Sequence, residues 1–150
     1  MGEREGGDYM LIVGGGKVGW NLARELIDKG HEVTLIEADR ERYLTVEQEL
    51  EHRVLYGDAS ELWVLERAGI ERADVFVAST NGDNTNIVIA QIAQRRFNVE
   101  TVIARILDPY RAEWYATQGM TTVCPTRTAI EMLETNLREV AASKEGQPDG

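Results

Sequence analysis

The chain has 150 residues, 43% of them hydrophobic, and its 26 acidic against 16 basic side chains leave a formal net charge of −10. That length suits one domain with its own core and leaves no room for a second catalytic lobe. So acidic a surface excludes loose, charge-driven binding of DNA or RNA, which needs cations to displace counterions.

Residues 1–8 (MGEREGGD) are polar and read as a flexible tail. Short apolar runs then alternate with helical patterns. Strand Met10–Val13 leads into helix Val18–Lys29, whose Val18, Leu22 and Leu26 share one stripe. Strand Glu32–Ile36 precedes helix Arg40–Leu50, for which Asp39 is the natural N-cap. Strand Arg53–Tyr56 is followed by helix Glu61–Ala68, strand Val75–Ala78 by helix Asn84–Arg95, and strand Thr101–Arg105 by helix Pro109–Gln118. Strand Thr122–Cys124 and helix Thr128–Ala142 close the domain, which spans 9–142; residues 143–150 form a second flexible tail.

The runs LIV, VTLI, VFVA and VIA are continuously apolar, as in sheets covered on both faces. Strict strand–helix alternation with short loops implies parallel pairing through right-handed crossovers. The fold class is therefore α/β: a Rossmann-type, doubly wound, six-stranded parallel sheet in the order 3-2-1-4-5-6, with helices on both faces.

The segment LIVGGGKVGWNLAREL places Gly14, Gly16 and Gly19 as G-x-G-x-x-G between a strand and a helix. Gly14 permits the tight turn, Gly16 lets backbone approach a pyrophosphate, and Gly19 lets helix and strand pack closely. Unpaired amides and the positive helix end then face the anion. Glu37, 23 positions after Gly14, ends the second strand, where a carboxylate accepts from ribose hydroxyls and repels a 2′-phosphate. NAD is thereby favoured over NADP, with Arg40 nearby as a cation that works the other way. Two roles are open to Asp58 in Gly57-Asp58-Ala59: contact with the adenine amino group, or a cap for the following helix. Ala59 is placed to meet the adenine ring face.

His31 and His52 lack metal-ligand neighbours and are expected at the surface, and Cys124, the single cysteine, is expected as a buried structural thiol. Unable to form an internal disulfide, it fits a reducing compartment. No apolar run nears the roughly 20 residues that cross a bilayer, and no signal peptide precedes the first strand. A cytoplasmic protein is expected, with no direct membrane insertion. Trp20 lies near either the nucleotide edge or a neighbouring subunit. The stripe Ile130, Leu133, Leu137 and Val140 packs either on the parent sheet or in a dimer seam.

Together, IVGGGKVGWNLA, VTLIEADRER, LYGDASELWVLERAGIERADVFVAST, VIARILDP and TVCPTRTAIEML resemble the amino-terminal domain of potassium-transport regulators, the TrkA-N or RCK family, over residues 10–137. The resemblance implies binding of NAD(H), or alternatively ATP/ADP or AMP, and assembly as a homodimer or higher ring beneath a membrane potassium channel or transporter subunit. It carries phosphate contacts onto Gly14, Gly16, Lys17, Val18 and Gly19, and ribose contacts onto Glu37 with Ala38 beside it. Asp58 and Ala59 fall on the adenine side, Ser79 and Thr80 near the central phosphates or the nicotinamide. Arg105 matches an arginine that reaches terminal phosphates; its other reading is an ion pair with Asp108 or Glu131. Nucleotide-switched relatives carry a metal-binding glutamate after the last strand's proline, where this chain has Thr126 after Pro125, a departure that favours NAD(H).

Three functions follow. The first is a regulatory, non-catalytic nucleotide sensor for potassium transport. The second is a fragment of an NAD-dependent oxidoreductase, against which stand the lack of a tyrosine–lysine pair at catalytic spacing and of a histidine near the crevice. The third is an assembly module that its nucleotide merely stabilises.

Overall fold

Each strand is followed by a helix long enough to carry the chain back across a sheet face, which is what parallel pairing requires. The computed structural model describes residues 7–146. Its strands are β1 (Tyr9–Val13), β2 (Glu32–Glu37), β3 (Val54–Tyr56), β4 (Val75–Ala78), β5 (Thr101–Arg105) and β6 (Thr121–Val123). They form one parallel sheet in the order β3-β2-β1-β4-β5-β6. Helices α1 (Lys17–Asp28), α2 (Arg40–Leu50), α3 (Leu62–Arg67), α4 (Asp83–Gln91), α5 (Pro109–Thr117) and α6 (Pro125–Glu145) complete the expected Rossmann arrangement.

Alternation along the strands divides the core into two layers. Met10, Ile12, Val33, Leu35 and Val54 face α1 and α2, meeting Ala23, Val46 and Leu50. Leu11, Val13, Phe76, Ala78, Val102 and Ala104 face the other way, onto Val64, Leu65, Ile87, Ala90 and Ala112 of α3, α4 and α5. At the amino-terminal end of the sheet the Tyr9 hydroxyl lies between Thr34 Oγ1 and the Ala68 carbonyl, and burial pushes its pKa up.

Three expectations need correction. The helix expected over Asn84–Arg95 ends as α4 at Gln91 and widens into a π-turn, Ile92–Arg96. That extra residue keeps Ala93 fully buried while Ile92 and Phe97 pack on the same core. Cys124 is half-buried rather than buried, because it is the N-cap of α6: its Sγ accepts from Arg127 N at 3.4 Å. And α6 starts three residues before and ends three beyond the expected Thr128–Ala142. Pro125 sits at N1, where its missing N–H costs nothing, and Ala141, Ala142 and Lys144 favour continuing the helix. Residues 143–145 of the expected carboxyl-terminal tail are therefore helical, while the tail expectations for 1–6 and 147–150 lie outside the described residues.

None of α6 is buried; Leu133 and Leu137 are 63% and 68% exposed. It does not cover the sheet. Val75, Val77 and Ile103, on the α1 side of β4 and β5, stay only half-buried, with Thr101, Thr121 and Val123 exposed around them. Half of one sheet face and the stripe of α6 thus stand bare in the same chain.

Candidate functional site

The turn after β1 is built around backbone that side chains would obstruct. Gly14 has φ +105°, and a Cβ there would lie 2.7 Å from Ser79 O. A Cβ on Gly19 would lie 1.8 Å from Gly14 O, so α1 rests directly on the turn. Gly16, by contrast, faces open space: nothing lies within 4 Å of where its Cβ would be. It is the N-cap of α1, and no side chain caps it. The first amides of α1 are left without intrahelical acceptors, at the positive end of the helix.

Beside this turn, at the carboxyl ends of β1 to β4, lies a crevice of about 380 Å³. Such a position, where the winding of the sheet reverses between β1 and β4, is where open α/β sheets hold ligands. Of the residues expected from the sequence, Gly14, Gly16, Glu37, Ala38, Asp58, Ala59, Ser79 and Thr80 line it. Lys17 and Val18 stand exposed on the first turn of α1, Gly19 is buried beneath it, and Arg105 lies behind Thr80; these four are not in the lining. The crevice also takes in Asp39, Arg42, Asn81 and Thr85, which no local sequence signal marks as lining it.

Glu37 is 5% exposed, yet both its oxygens are engaged. Oε1 accepts from Gly15 N at 2.9 Å and Oε2 from Asp39 N at 2.9 Å, with Arg42 Nη1 at 3.5 Å from Oε1. Two backbone amides therefore hold the buried carboxylate in place, and a carboxylate has about four lone-pair sites, leaving capacity for a hydroxyl donor. Asp39 caps α2 as expected, accepting from Arg42 N at 2.9 Å. Asp58 lines the crevice but does not cap α3, whose N-cap is Glu61; its carboxylate closes a local turn instead, accepting from Ser60 N and Oγ at 2.9 and 2.7 Å.

The far wall is organised by Asn86, which the sequence did not single out. It is 1% exposed. Its Oδ1 accepts from Thr80 N at 2.9 Å and Thr80 Oγ1 at 2.6 Å, while its Nδ2 donates to Thr80 O at 3.0 Å and Arg105 O at 2.8 Å. Ser79 Oγ donates to Val13 O at 2.9 Å, tying β4 to β1. Arg105 forms neither of the expected ion pairs. Asp108 instead caps α5 and Glu131 pairs with Arg127, while Arg105 Nη2 donates to Thr80 O at 2.8 Å and its buried Nε has no partner. Asn86→Ala strands several of these buried groups and is expected to lower stability by about 2–3 kcal/mol, read as a lower urea midpoint at unchanged slope.

Trp20 also falls outside the crevice. It is half-buried against the core layer shared by α1 and α2, and its buried indole N–H is unpaired.

Comparison with known proteins places these features in a family. A family model described as the TrkA-N domain matches residues 10–126. The "Trk system potassium uptake protein TrkA" of Streptomyces coelicolor is 40% identical over 126 residues, covering 83% of this chain and 56% of the relative. The TrkA homolog of Methanothermobacter thermautotrophicus is 39% identical, with 84% of this chain and 58% of the relative covered. This chain thus spans just over half the length of these relatives. Among solved structures, the GsuK channel bound to NAD is 25% identical with a TM-score of 0.76, covering 94% of this chain and 25% of that one. GsuK bound to ADP is also 25% identical, with a TM-score of 0.73, covering 88% of this chain and 34% of that one.

Proposed function

This chain belongs to the TrkA-N domain family, and on that footing we propose that it is a regulatory nucleotide-binding module that gates a membrane potassium channel or transporter from the cytoplasm. Its ligand is an adenine nucleotide, with NAD(H) preferred to ATP/ADP or AMP. The observation that carries the proposal is the crevice at the switch point, with the open Gly16 at one end and the buried, pre-set Glu37 carboxylate at the other. A dinucleotide fits this donor set. The uncapped first amides of α1, from Lys17 to Gly19, receive the diphosphate, with the Lys17 side chain as a flexible cation at the rim. Glu37 receives the ribose hydroxyls, and Asp58 and Ala59 flank the adenine. Ser79 and Thr80 border the central phosphates or the nicotinamide half, and Arg105 reaches the phosphates by leaving the Thr80 carbonyl.

The role is binding rather than turnover. Relatives bear the names of potassium-uptake proteins, and a sensor acts through different affinities for two arrangements of its assembly. That assembly is a homodimer, in which α6 of a second copy covers the bare β4–β6 face. One chain carries both surfaces, so a two-fold exchange satisfies each of them twice.

Calorimetry of the chain with NADH, NAD, NADPH, ATP and ADP tests the ligand. NADH or NAD is expected to bind, NADPH more weakly. Glu37→Ala should weaken NADH about tenfold or more by removing charged hydrogen bonds, while NADPH, no longer repelled, loses less. Unchanged NADH affinity in Glu37→Ala would remove Glu37 from the site. Turnover of NADH with candidate substrates would instead favour the oxidoreductase reading, and a cofactor that survives dialysis the assembly module.

A further inference from the structure

We propose that Arg42 is a second selector at the adenosine end of the crevice, a seat for a 2′-phosphate that Glu37 holds closed. The proposal deepens the dinucleotide reading above and rests on it. From the sequence Arg40 was the cation opposing Glu37, but Arg40 is exposed and outside the crevice lining. Asp39 starts α2 by accepting from Arg42 N, and that first turn brings the Arg42 side chain to the crevice instead.

Arg42 is the only cation among the described residues lining the crevice, which also holds Glu37, Asp39 and Asp58. Its one side-chain hydrogen bond there, 3.5 Å to Glu37 Oε1, is at the limit of such a bond, and the side chain is 43% exposed. A guanidinium has five donors in a fork that matches phosphate oxygens, so most of its capacity is unspent. Glu37, in contrast, is held from both sides by Gly15 and Asp39 amides and does not swing away.

The two side chains therefore oppose each other at one sugar position. A 2′-hydroxyl donates to Glu37; a 2′-phosphate accepts from Arg42 but is repelled by the adjacent carboxylates. Preference for NADH over NADPH is the difference of these effects, and Arg42 moderates it. Removing Arg42 sharpens the preference, and removing the charge of Glu37 reverses its direction.

The test measures NADH and NADPH affinity, the latter by competition, for wild type, Arg42→Ala, Arg42→Lys, Glu37→Gln and the Glu37→Gln/Arg42→Ala pair. Arg42→Ala should raise the NADH-over-NADPH ratio about tenfold, and Arg42→Lys should restore part of it. Glu37→Gln should tighten NADPH, and the double variant should lose that gain. The Arg42 variants leave both amide contacts of Glu37 intact, so they answer even where Glu37→Gln melts early. An unchanged ratio in Arg42→Ala, or equal NADPH affinity in Glu37→Gln and the double variant, overturns the selector alone. A wild type that binds neither dinucleotide overturns the dinucleotide reading, and the selector with it.

Discussion

Gly19→Ala is expected to weaken dinucleotide binding about a hundredfold and to lower stability by about 3 kcal/mol or more, since the added carbon has no space to occupy. Its Cβ would stand 1.8 Å from Gly14 O, a backbone atom that no rotamer change can clear. Relief requires α1 to lift off the turn, and Gly14 cannot follow, because its own Cα already faces Ser79 backbone. The amides at the start of α1 then leave the position from which they meet a diphosphate. Loss of two charge-assisted bonds, at about 1.5 kcal/mol each, corresponds to on the order of a hundredfold in affinity. Gly16→Ala is the informative companion. Its φ of −72° suits alanine and its Cβ meets nothing within 4 Å, so the melting temperature should hold while dinucleotide binding weakens. If Gly16→Ala binds as the wild type does, no phosphate approaches the backbone there.

Leu137→Asp is expected to convert a dimer into a monomer, measured by light scattering on a sizing column. Leu137 is 68% exposed on a helix that buries none of its residues, so the substitution should leave the melting of an isolated chain unchanged. In the proposed dimer the same position is covered. Losing a buried leucine and burying a carboxylate in its place should then weaken association by about 3 kcal/mol or more, beyond a hundredfold. A wild type that is monomeric throughout, or a variant that remains dimeric, refutes the exchange of α6 between copies.

The legible part of the site is the part whose causes are local. Gly14 and Gly19 stand out because a strand, a tight turn and a helix within a dozen residues demand a missing side chain at those points. Glu37 stands out because a strand of known length delivers its last side chain to the sheet edge. Asp39 is recognisable as a cap from its place before a helical pattern. Asn86 is different. Its four hydrogen bonds join the β4–α4 loop to the end of β5, nineteen residues on, and an Asn in a helix carries no local sign of such a task.

Sequence by itself determined the strand order, the parallel sheet and the glycine turn, because alternating apolar runs and missing side chains act over one or two turns of chain. Tertiary structure alone decided that Arg42 rather than Arg40 reaches the crevice, that Arg105 turns to the Thr80 carbonyl, and that α6 leaves the sheet. Those outcomes depend on the rotation of a helix about its axis and on which distant groups remain unsatisfied. Hydrophobic periodicity marks an apolar face on α6, but only packing decides whether that face meets its own sheet or another surface.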